Sequence, residues 1–326
     1  MKIGRVVGVG EAMVRLTPTS RARLEQAQEL RVSVGGAELN ALILLSRLGV
    51  DTLWVTRLPA NPLGRLIAAH ARSHGVSLHV EWDADARAGL YFVETGAAPR
   101  PTEVVYDRSN SAASRLEPGR VDWPRLLDGA SCLHVSGITP ALGPGPCEVV
   151  REAMVAARAG GAVTSLDVNY RSRLWSIEDA RAAYLELLPL TDVLFATRFD
   201  LEVLLDSGGP PVEAAQRVRE RDGVRVVVVP ERRDPGPVRS EVTVMAVADE
   251  TAESGCHDAE VVDPLGAGDA IAAAFLSVHL RGGPLGEAVE AAARAGALKH
   301  TIEGDVLLVE PKELTPAIGS GRRILR

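Results

Sequence analysis

Residues 262–270, VDPLGAGDA, combine residue types that can hold a charged group and move a proton. A strand-like approach leads into a turn with two glycines, which let the backbone turn tightly and approach a ligand closely. A helix-forming run, Asp269–Leu280, follows at once. The free backbone N–H groups of Gly266, Ala267 and Gly268 would then lie at the positive end of the helix dipole. We therefore predict that this turn binds an anion, such as a phosphoryl group that gains charge in a transition state.

Asp269 lies in the first turn of that predicted helix. A carboxylate at such a position often does no more than cap the helix. Next to an anion-binding turn it can instead accept the proton of a substrate hydroxyl while the amides hold the transferred group. We predict the second role, because the glycine turn comes directly before Asp269.

Two other glycine motifs are excluded by the residues around them. A P-loop places Lys and then Ser or Thr after its last glycine, whereas Asp269 follows Gly268 here. Near the N-terminus, Gly8 and Gly10 follow a strand-like run, but the dinucleotide-binding pattern requires a third glycine where this chain has Met13. The sequence therefore predicts neither a Walker A site nor an NAD site.

Two segments resemble the two signatures of the PfkB, or ribokinase-like, carbohydrate kinases, and they occur in the expected order. They are the run at 262–270 and GGAELNA at 35–41, which continues to RLG at 47–49. Four further segments resemble the 2-keto-3-deoxygluconate kinases within that family. They are GLY at 89–91, VYDRSNSAAS at 105–114, LHVSGITPAL at 133–142 and SLDVNYRSRLW at 165–175. The resemblance spans residues 1 to about 310.

The resemblance implies transfer of the ATP γ-phosphoryl group to a primary hydroxyl of a sugar or sugar acid, with 2-keto-3-deoxygluconate as the expected substrate. Asp269 would act as the base, the amides of residues 266–268 would stabilise the developing charge, and Mg²⁺ would bridge the phosphates. A ketohexose or 2-keto-3-deoxygalactonate is an alternative substrate. A sugar-binding protein with impaired phosphoryl transfer is the alternative outside the enzymes.

The resemblance also implies which residues contact the sugar. The glycine pair at 35–36 lets the substrate lie against the backbone, and Asn40 points a polar side chain into the same pocket. Arg108 and Arg171 suit a sugar acid, because guanidinium groups hold carboxylates with charge-assisted hydrogen bonds. Glu11 is included because it follows the first predicted strand, at the sheet edge where open α/β sheets bind ligands. The predicted substrate-binding residues are Glu11, Gly35, Gly36, Asn40, Tyr91, Tyr106, Arg108, Asn169 and Arg171.

The segment expected to bind the nucleotide departs from the family pattern. These kinases place Lys-x-Gly after the strand predicted at Val224–Val229, whereas this chain has the proline- and arginine-rich residues 230–240, which we interpret as a loop. Arg232 or Arg233 can replace the charge of the missing lysine. The usual Asn/Ser-x-x-Glu motif runs here from Thr197 to Asp200, and Asp200 can serve a hydrated Mg²⁺. The predicted nucleotide-binding residues are Thr197, Arg232, Gly236, Gly266, Gly268 and Gly296.

Strand-like and helix-like runs alternate throughout the chain, with no linker or composition break. This pattern predicts one α/β domain over residues 1–326, and the resemblance implies a ribokinase-like three-layer α/β/α sandwich with a mostly parallel central sheet. Short runs without helical period at about 12–35 and 88–110 predict a small β lid, with strands at Leu90–Glu94 and Glu103–Asp107. Because exposed lid strands can pair between subunits, we expect a homo-oligomer.

Composition limits the classes of partner. The chain has 326 residues, of which 46% are hydrophobic, and a net charge of −7. Negative charge spread along the chain argues against nucleic-acid binding, which requires a clustered basic face. The longest apolar stretches, such as Val224–Val229, are too short to cross a bilayer, and the N-terminus lacks the apolar core of a signal peptide. We therefore expect a soluble cytoplasmic protein without membrane contact.

Overall fold

The computed structural model describes residues 3–97, 99–236 and 238–314. Within these ranges the strands, in chain order, are β1 (Arg5–Val9), β2 (Met13–Pro18), β3 (Leu30–Gly35), β4 (Thr52–Pro59), β5 (Ser77–Asp83), β6 (Leu90–Glu94), β7 (Glu103–Asp107), β8 (Ala130–Ser136), β9 (Val163–Asp167), β10 (Val193–Phe195), β11 (Val226–Gly236), β12 (Arg239–Val247), β13 (Thr251–Glu253) and β14 (His257–Glu260). The α-helices are α1 (Ala37–Arg47), α2 (Pro62–Ser73), α3 (Trp123–Leu126), α4 (Pro144–Ala159), α5 (Ile177–Leu187), α6 (Pro211–Asp222), α7 (Ala267–His279), α8 (Leu285–His300) and α9 (Pro311–Leu314). A π-helical turn covers Asp200–Leu204.

The large sheet has the strand order β13-β12-β11-β10-β9-β8-β1-β4-β5, with β14 paired to β12. Every neighbouring pair from β11 to β5 is parallel, whereas β12, β13 and β14 form an antiparallel extension at one edge. Because the parallel strands run in one direction, the segments after β1, β9 and β10 leave the sheet at the same end. The predicted site residues Glu11, Asn169 and Thr197 follow these three strands.

Helices cover both faces of the large sheet. On one face α1, α7 and α8 pack around a core in which Leu42, Trp54 and Phe275 are fully buried. On the other face α4, α5 and α6 surround a second core that includes Leu133 and Tyr184. These layers confirm the predicted three-layer α/β/α sandwich. None of the helices within the described ranges combines the length and the hydropathy needed to span a bilayer.

A second sheet, which we call the small sheet, has the strand order β3-β2-β6-β7. The pairs β2/β3 and β6/β7 are antiparallel, and β2 joins β6 in parallel. The strands predicted at Leu90–Glu94 and Glu103–Asp107 have the observed bounds of β6 and β7. Met13 and Tyr91 are buried on the face of this sheet that packs against Leu265. The small sheet therefore reaches the 262–270 segment.

The interpretation of residues 230–240 as a loop is wrong. Strand β11 continues through Pro230 to Gly236 and forms an antiparallel hairpin with β12, in which Pro230 pairs with Val244 and Arg233 with Glu241. Strand β12 alternates between buried and more exposed positions, as a half-buried strand does. The hydrogen bonds between β12 and residues 230–236 keep this segment extended, although its own residues favour a turn. Tertiary pairing therefore overrides the local preference. Residue 237 lies outside the described residues.

Candidate active site

The 264–268 turn has a geometry that requires glycine. Gly266 has a φ of 82°, in the left-handed region, and a Cβ there would lie 1.8 Å from the carbonyl oxygen of Asp305. Asp263 Oδ1 accepts a hydrogen bond of 3.1 Å from the backbone N–H of Leu265, which fixes the start of the turn. Helix α7 begins at Ala267, so the turn ends at the positive end of its dipole.

Asp269 lies in the first turn of α7, as predicted, and is 8% exposed. The side-chain amide of Asn40 donates a hydrogen bond of 2.7 Å to its Oδ2. Burial raises the pKa of Asp269 to about 6, and the hydrogen bond from Asn40 opposes that rise. The negative charge of Asp305 raises the pKa further, whereas the positive charges of Arg171 and Lys299 lower it. A carboxyl with this pKa is mostly ionised at neutral pH and more basic than a free aspartate. These are the properties that a general base requires.

A cleft of about 180 Å³ lies between the small sheet, the start of α1 and the 264–268 turn. It brings together the predicted catalytic residues and every predicted substrate-binding residue except Glu11. Those that line it are Gly35, Gly36, Asn40, Tyr91, Tyr106, Arg108, Asn169, Arg171, Gly266, Ala267, Gly268 and Asp269. One cavity thus contains the carboxylate of Asp269, the glycine turn at the start of α7 and two arginines.

Glu11 lies behind this lining, where it holds Arg108 in place. It is 3% exposed, its Oε2 accepts from the Arg108 guanidinium, and its Oε1 accepts from the hydroxyl of Ser111 at 2.5 Å. The guanidinium also lies over the ring of Tyr106, 5.6 Å from its centroid. Both oxygens of Glu11 therefore have partners in the free protein. Direct contact of Glu11 with a sugar stays a prediction, and the geometry supports a role in orienting Arg108.

Arg171 and Asn169 lie in the segment that follows β9. Asn169 has a φ of 43°, a left-handed conformation that asparagine adopts more readily than most residues. Arg171 is exposed and donates to the carbonyl oxygen of Tyr170 at 3.1 Å, which occupies one of its five N–H groups. Its positive charge counteracts the rise in pKa that burial causes at Asp200 and Asp269. Arg171 can therefore offer several donors to an anionic ligand in the cleft.

The glycine pair at 35–36 is needed for close packing even before a ligand binds. A Cβ on Gly35 would lie 2.2 Å from the hydroxyl oxygen of Tyr91, and one on Gly36 would lie 2.3 Å from the carbonyl oxygen of Glu11. The Tyr91 hydroxyl donates to Oδ2 of Asp305 at 2.8 Å. The backbone at residues 35–36 therefore packs directly against the Tyr91 hydroxyl and the backbone of Glu11.

The chain is similar to known proteins over most of its length. The sequence profile of the pfkB family carbohydrate kinases matches residues 4–311. The chain belongs to the PfkB family. It is 37% identical over 316 residues to the 2-dehydro-3-deoxygalactonokinase of Haloferax volcanii, a match that covers 97% of each protein. It is 30% identical over 313 residues to the 2-dehydro-3-deoxygluconokinase of Thermoproteus tenax, which covers 94% of this chain and 92% of that protein.

Solved structures of PfkB kinases share the fold. The crystal structure of the 2-dehydro-3-deoxygluconokinase of Thermotoga maritima matches this chain with a TM-score of 0.92 and 35% identity, over 96% of this chain and 97% of that one. The prefixes 2-dehydro and 2-keto name the same sugar acids. The comparison confirms the ribokinase-like fold and the carbohydrate-kinase class that the sequence motifs implied.

Asp200 of this PfkB kinase lies in the π-helical turn after β10, outside the cleft lining, and is 4% exposed. Its Oδ2 accepts from the backbone N–H and the hydroxyl of Thr197, at 2.8 and 2.7 Å. Burial raises the pKa of Asp167, at the end of β9, to about 8, and the charges of Asp269 and Asp200 add to that rise. Asp167, which is half-buried, therefore lies within electrostatic reach of the two buried carboxyl groups of Asp200 and Asp269.

Of the other predicted nucleotide-binding residues, Gly266 and Gly268 line the cleft, whereas Arg232, Gly236 and Gly296 lie outside its lining. Arg232 and Gly236 belong to the β11–β12 hairpin, where the Arg232 guanidinium pairs with Asp234 at 2.8 Å. Gly296 is buried in α8, and a Cβ there would lie 2.9 Å from the side chain of Ile271. Close helix packing accounts for that glycine. The nucleotide contacts of these residues stay predictions.

Sequence reasoning missed a charged network behind the cleft of this PfkB kinase. The Arg15 guanidinium donates to Oδ1 of Asp305 and to Oδ2 of Asp263, both at 2.5 Å, and the Arg15 side chain is only 3% exposed. The network ties strand β2 of the small sheet to Asp263, directly before the 264–268 turn, and to Asp305, which also lines the cleft. An arginine between apolar neighbours in a predicted strand is the signal that could have revealed it.

Proposed function

We propose that this PfkB kinase phosphorylates a 2-keto-3-deoxy sugar acid, either 2-keto-3-deoxygluconate or its galactonate epimer, with ATP as the donor. One observation carries the proposal: a single cleft contains the buried carboxylate of Asp269 at the start of α7 together with Arg108 and Arg171. A carboxylate at a helix N-terminus beside free amides suits phosphoryl transfer to a hydroxyl. Two arginines in the same cavity suit a substrate that carries a carboxylate.

In the proposed reaction each group has a separate task. Arg108 and Arg171 bind the carboxylate of the sugar acid, and Asn40 orients Asp269 through its hydrogen bond. Asp269 accepts the proton of the primary hydroxyl as that oxygen attacks the γ-phosphorus, and the bond between the γ-phosphorus and the bridging oxygen of ADP breaks. The backbone N–H groups of residues 266–268 stabilise the charge on the transferred group. The products are the phosphorylated sugar acid and ADP, with the proton on Asp269.

Magnesium fits this site through water, without a protein cage. Across the described ranges, no group of three or more His, Cys, Asp or Glu side chains is arranged to hold a metal ion. A hydrated cation nearby would nevertheless weaken the repulsion between the carboxyl of Asp167 and the carboxyls of Asp269 and Asp200. Mg²⁺ bound with ATP would supply positive charge that neutralises part of the charge on the phosphates. Asp200 is the residue that we propose contacts its water shell.

A coupled assay of ADP release over sugar acids and neutral sugars tests the substrate class. We expect turnover with one or both 2-keto-3-deoxy acids and far less with a ketohexose. The galactonate epimer is a full candidate because the Haloferax volcanii relative, at 37% identity, bears that name. Binding of a sugar acid without ADP release would support the sugar-binding alternative, and turnover of the ketohexose alone would contradict the proposed substrate class.

Arg171→Ala is expected to narrow the preference for acidic over neutral sugars by about ten- to a hundredfold, since a charge-assisted hydrogen bond contributes roughly 1.5–3 kcal/mol. Arg108→Ala should act in the same direction, but it also leaves Glu11 without its cation, so the melting temperature is measured alongside. The measurement is the ratio of kcat/KM for the sugar acid to that for a neutral sugar.

Arg87→Ala is the matched control for this pair, because Arg87 forms its ion pair with Asp107, at the end of β7 and outside the cleft lining. The control should keep the parent ratio. If Arg108→Ala and Arg171→Ala both keep the parent ratio of kcat/KM for acidic over neutral sugars, both arginines are structural. The proposed substrate is then an unspecified sugar.

The KM for ATP is expected to be higher than in PfkB kinases that carry the Lys-x-Gly segment. Pro230 has no backbone N–H to donate, and Arg232 places a bulky side chain where glycine allows close approach. The charge of Arg232 is already engaged by Asp234. Calorimetry with ATP–Mg²⁺ measures the affinity. Tight micromolar binding would show that the hairpin compensates, whereas sugar binding without nucleotide binding would support the non-catalytic alternative.

We also propose a homo-oligomer that forms through the small sheet, in the cytoplasm. Strands β3 and β7 lie at its edges, and Val32 and Val105 on them are 52% and 42% exposed. Exposed edge strands with apolar side chains readily pair with another chain, and a lysine on an edge opposes such pairing. Sedimentation velocity should show an oligomer for the parent and a smaller species for Val32→Lys. A parent that sediments as a monomer contradicts this assembly.

A further inference from the structure

Lys299 is completely buried, although lysine is the residue type that a protein interior accommodates least easily. It lies in the last turn of α8, and burial lowers the pKa of its ammonium group. Its Nζ donates to the carbonyl oxygen of Asp263 at 3.1 Å and to that of Ile302 at 2.8 Å. A buried ammonium is tolerated only where such partners compensate its lost hydration. The proposed reaction has so far given Lys299 no task.

The two carbonyl groups belong to two segments that border the cleft. Asp263 precedes the 264–268 turn, and Ile302 belongs to the segment that carries Asp305. The segments also touch directly, because Asp263 Oδ2 accepts from the backbone N–H of Gly304 at 3.0 Å and Gly266 lies against the carbonyl oxygen of Asp305. Lys299 therefore lies at the junction of the two segments and binds a backbone oxygen of each.

The end of α8 supports the same turn through its backbone. The carbonyl oxygen of His300 accepts from the N–H groups of Val262 and Asp263, at 2.7 and 3.1 Å. The charge of Lys299 is also within reach of the base, since it counteracts the rise in pKa that burial causes at Asp269. A fixed cation in a dry site acts on a developing negative charge far more strongly than it would in water.

We propose that Lys299 is a positioning residue for phosphoryl transfer: its ammonium group ties Asp263 to Ile302 and so aims the amides of residues 266–268 at the transferred group. It acts through backbone carbonyls and does not touch the sugar. This inference rests on the proposed function, because it assumes that the turn holds a phosphoryl group.

Lys299→Met tests the role, because methionine has nearly the same length and no charge. We expect kcat to fall by about tenfold or more, since displaced transition-state donors are costly, while the KM for the sugar acid changes by less than about threefold. The acid limb of the pH profile should move to higher pH, because the cation that favours ionised Asp269 is gone. Lys312→Met is the matched control: it removes the same charge from an exposed side chain on helix α9 and should match the parent in every measurement.

Inorganic phosphate serves as a second probe that needs no turnover. Calorimetry should show weaker phosphate binding to Lys299→Met than to the parent, and methylammonium should restore part of the activity of Lys299→Ala. A parent that turns over neither 2-keto-3-deoxy acid overturns the proposed function, and phosphate binding alone then decides the role of Lys299. Parent-like kcat, pH profile and phosphate affinity in Lys299→Met overturn the positioning role. If neither Lys299→Met nor Lys299→Ala folds, Lys299 serves the stability of the core, and the positioning role is overturned as well.

Discussion

Asp269→Asn is expected to lower kcat by about 10²–10⁴-fold while it leaves binding of the sugar acid largely unchanged. The carboxylate accepts the proton of the attacking hydroxyl, and an amide cannot. Asparagine keeps the size of the side chain and suits helix N-termini, so the substitution isolates the chemistry from helix capping. Steady-state kinetics measures kcat, and calorimetry measures sugar binding. A variant that keeps more than about a tenth of the parent kcat is incompatible with base catalysis.

The pH dependence of kcat in the parent provides the control for that result. Burial raises the pKa of Asp269 to about 6, so the base is ionised above this pH and protonated below it. We expect kcat to be level at neutral pH and to fall as the pH drops through about 6. The residual activity of Asp269→Asn should lack this acid limb. If the limb persists in the variant, another group titrates there and Asp269 is not the base.

Elements with local signals could be predicted from the sequence. Helix α1 (Ala37–Arg47) is such an element, because its start follows a glycine pair and its apolar residues recur with helical period. The β11–β12 hairpin could not be predicted in this way. Pro230, Pro235 and Gly236 favour a loop, and only the ladder with β12, formed in the folded sheet, makes residues 230–236 part of a strand.

In the site, too, residues within short motifs could be predicted, whereas pairings between distant residues outside the motifs could not. Asn40 and Asp269 are 229 positions apart, yet each lies in its own motif, so both were predicted and the structure joins them. Arg15 and Asp305 are 290 positions apart and lie in neither motif, so nothing local indicates their pairing. The pairing of Glu11 with Arg108 could not be predicted either. The place of Glu11 at the end of β1 is as expected, but the sequence does not show that Arg108 engages its carboxylate.

Gly266→Ala is expected to lower both the stability of the protein and kcat, because alanine suits neither the backbone conformation nor the close packing at this position. Its φ of 82° lies in the left-handed region, which costs a residue with a Cβ roughly 1–2 kcal/mol. Its Cα also faces the carbonyl oxygen of Asp305, which a Cβ would approach to 1.8 Å. The backbone must therefore move, and the turn moves away from the segment that carries Asp305. Loss of aligned donors at such a site lowers kcat by about 10²–10³-fold.

Gly268→Ala is the matched control for stability, since a Cβ at that position meets no atom within 4 Å and the residue already belongs to helix α7. Alanine suits a helix better than glycine, so this variant should melt at the parent temperature or above it, whereas Gly266→Ala melts lower. Thermal unfolding separates the two, and the kinetics of Gly266→Ala at a temperature where it remains folded shows the effect on the turn. If Gly266→Ala is folded and keeps kcat within about twofold of the parent, the amides of residues 266–268 do not stabilise the transferred group, because their displacement would cost far more than that.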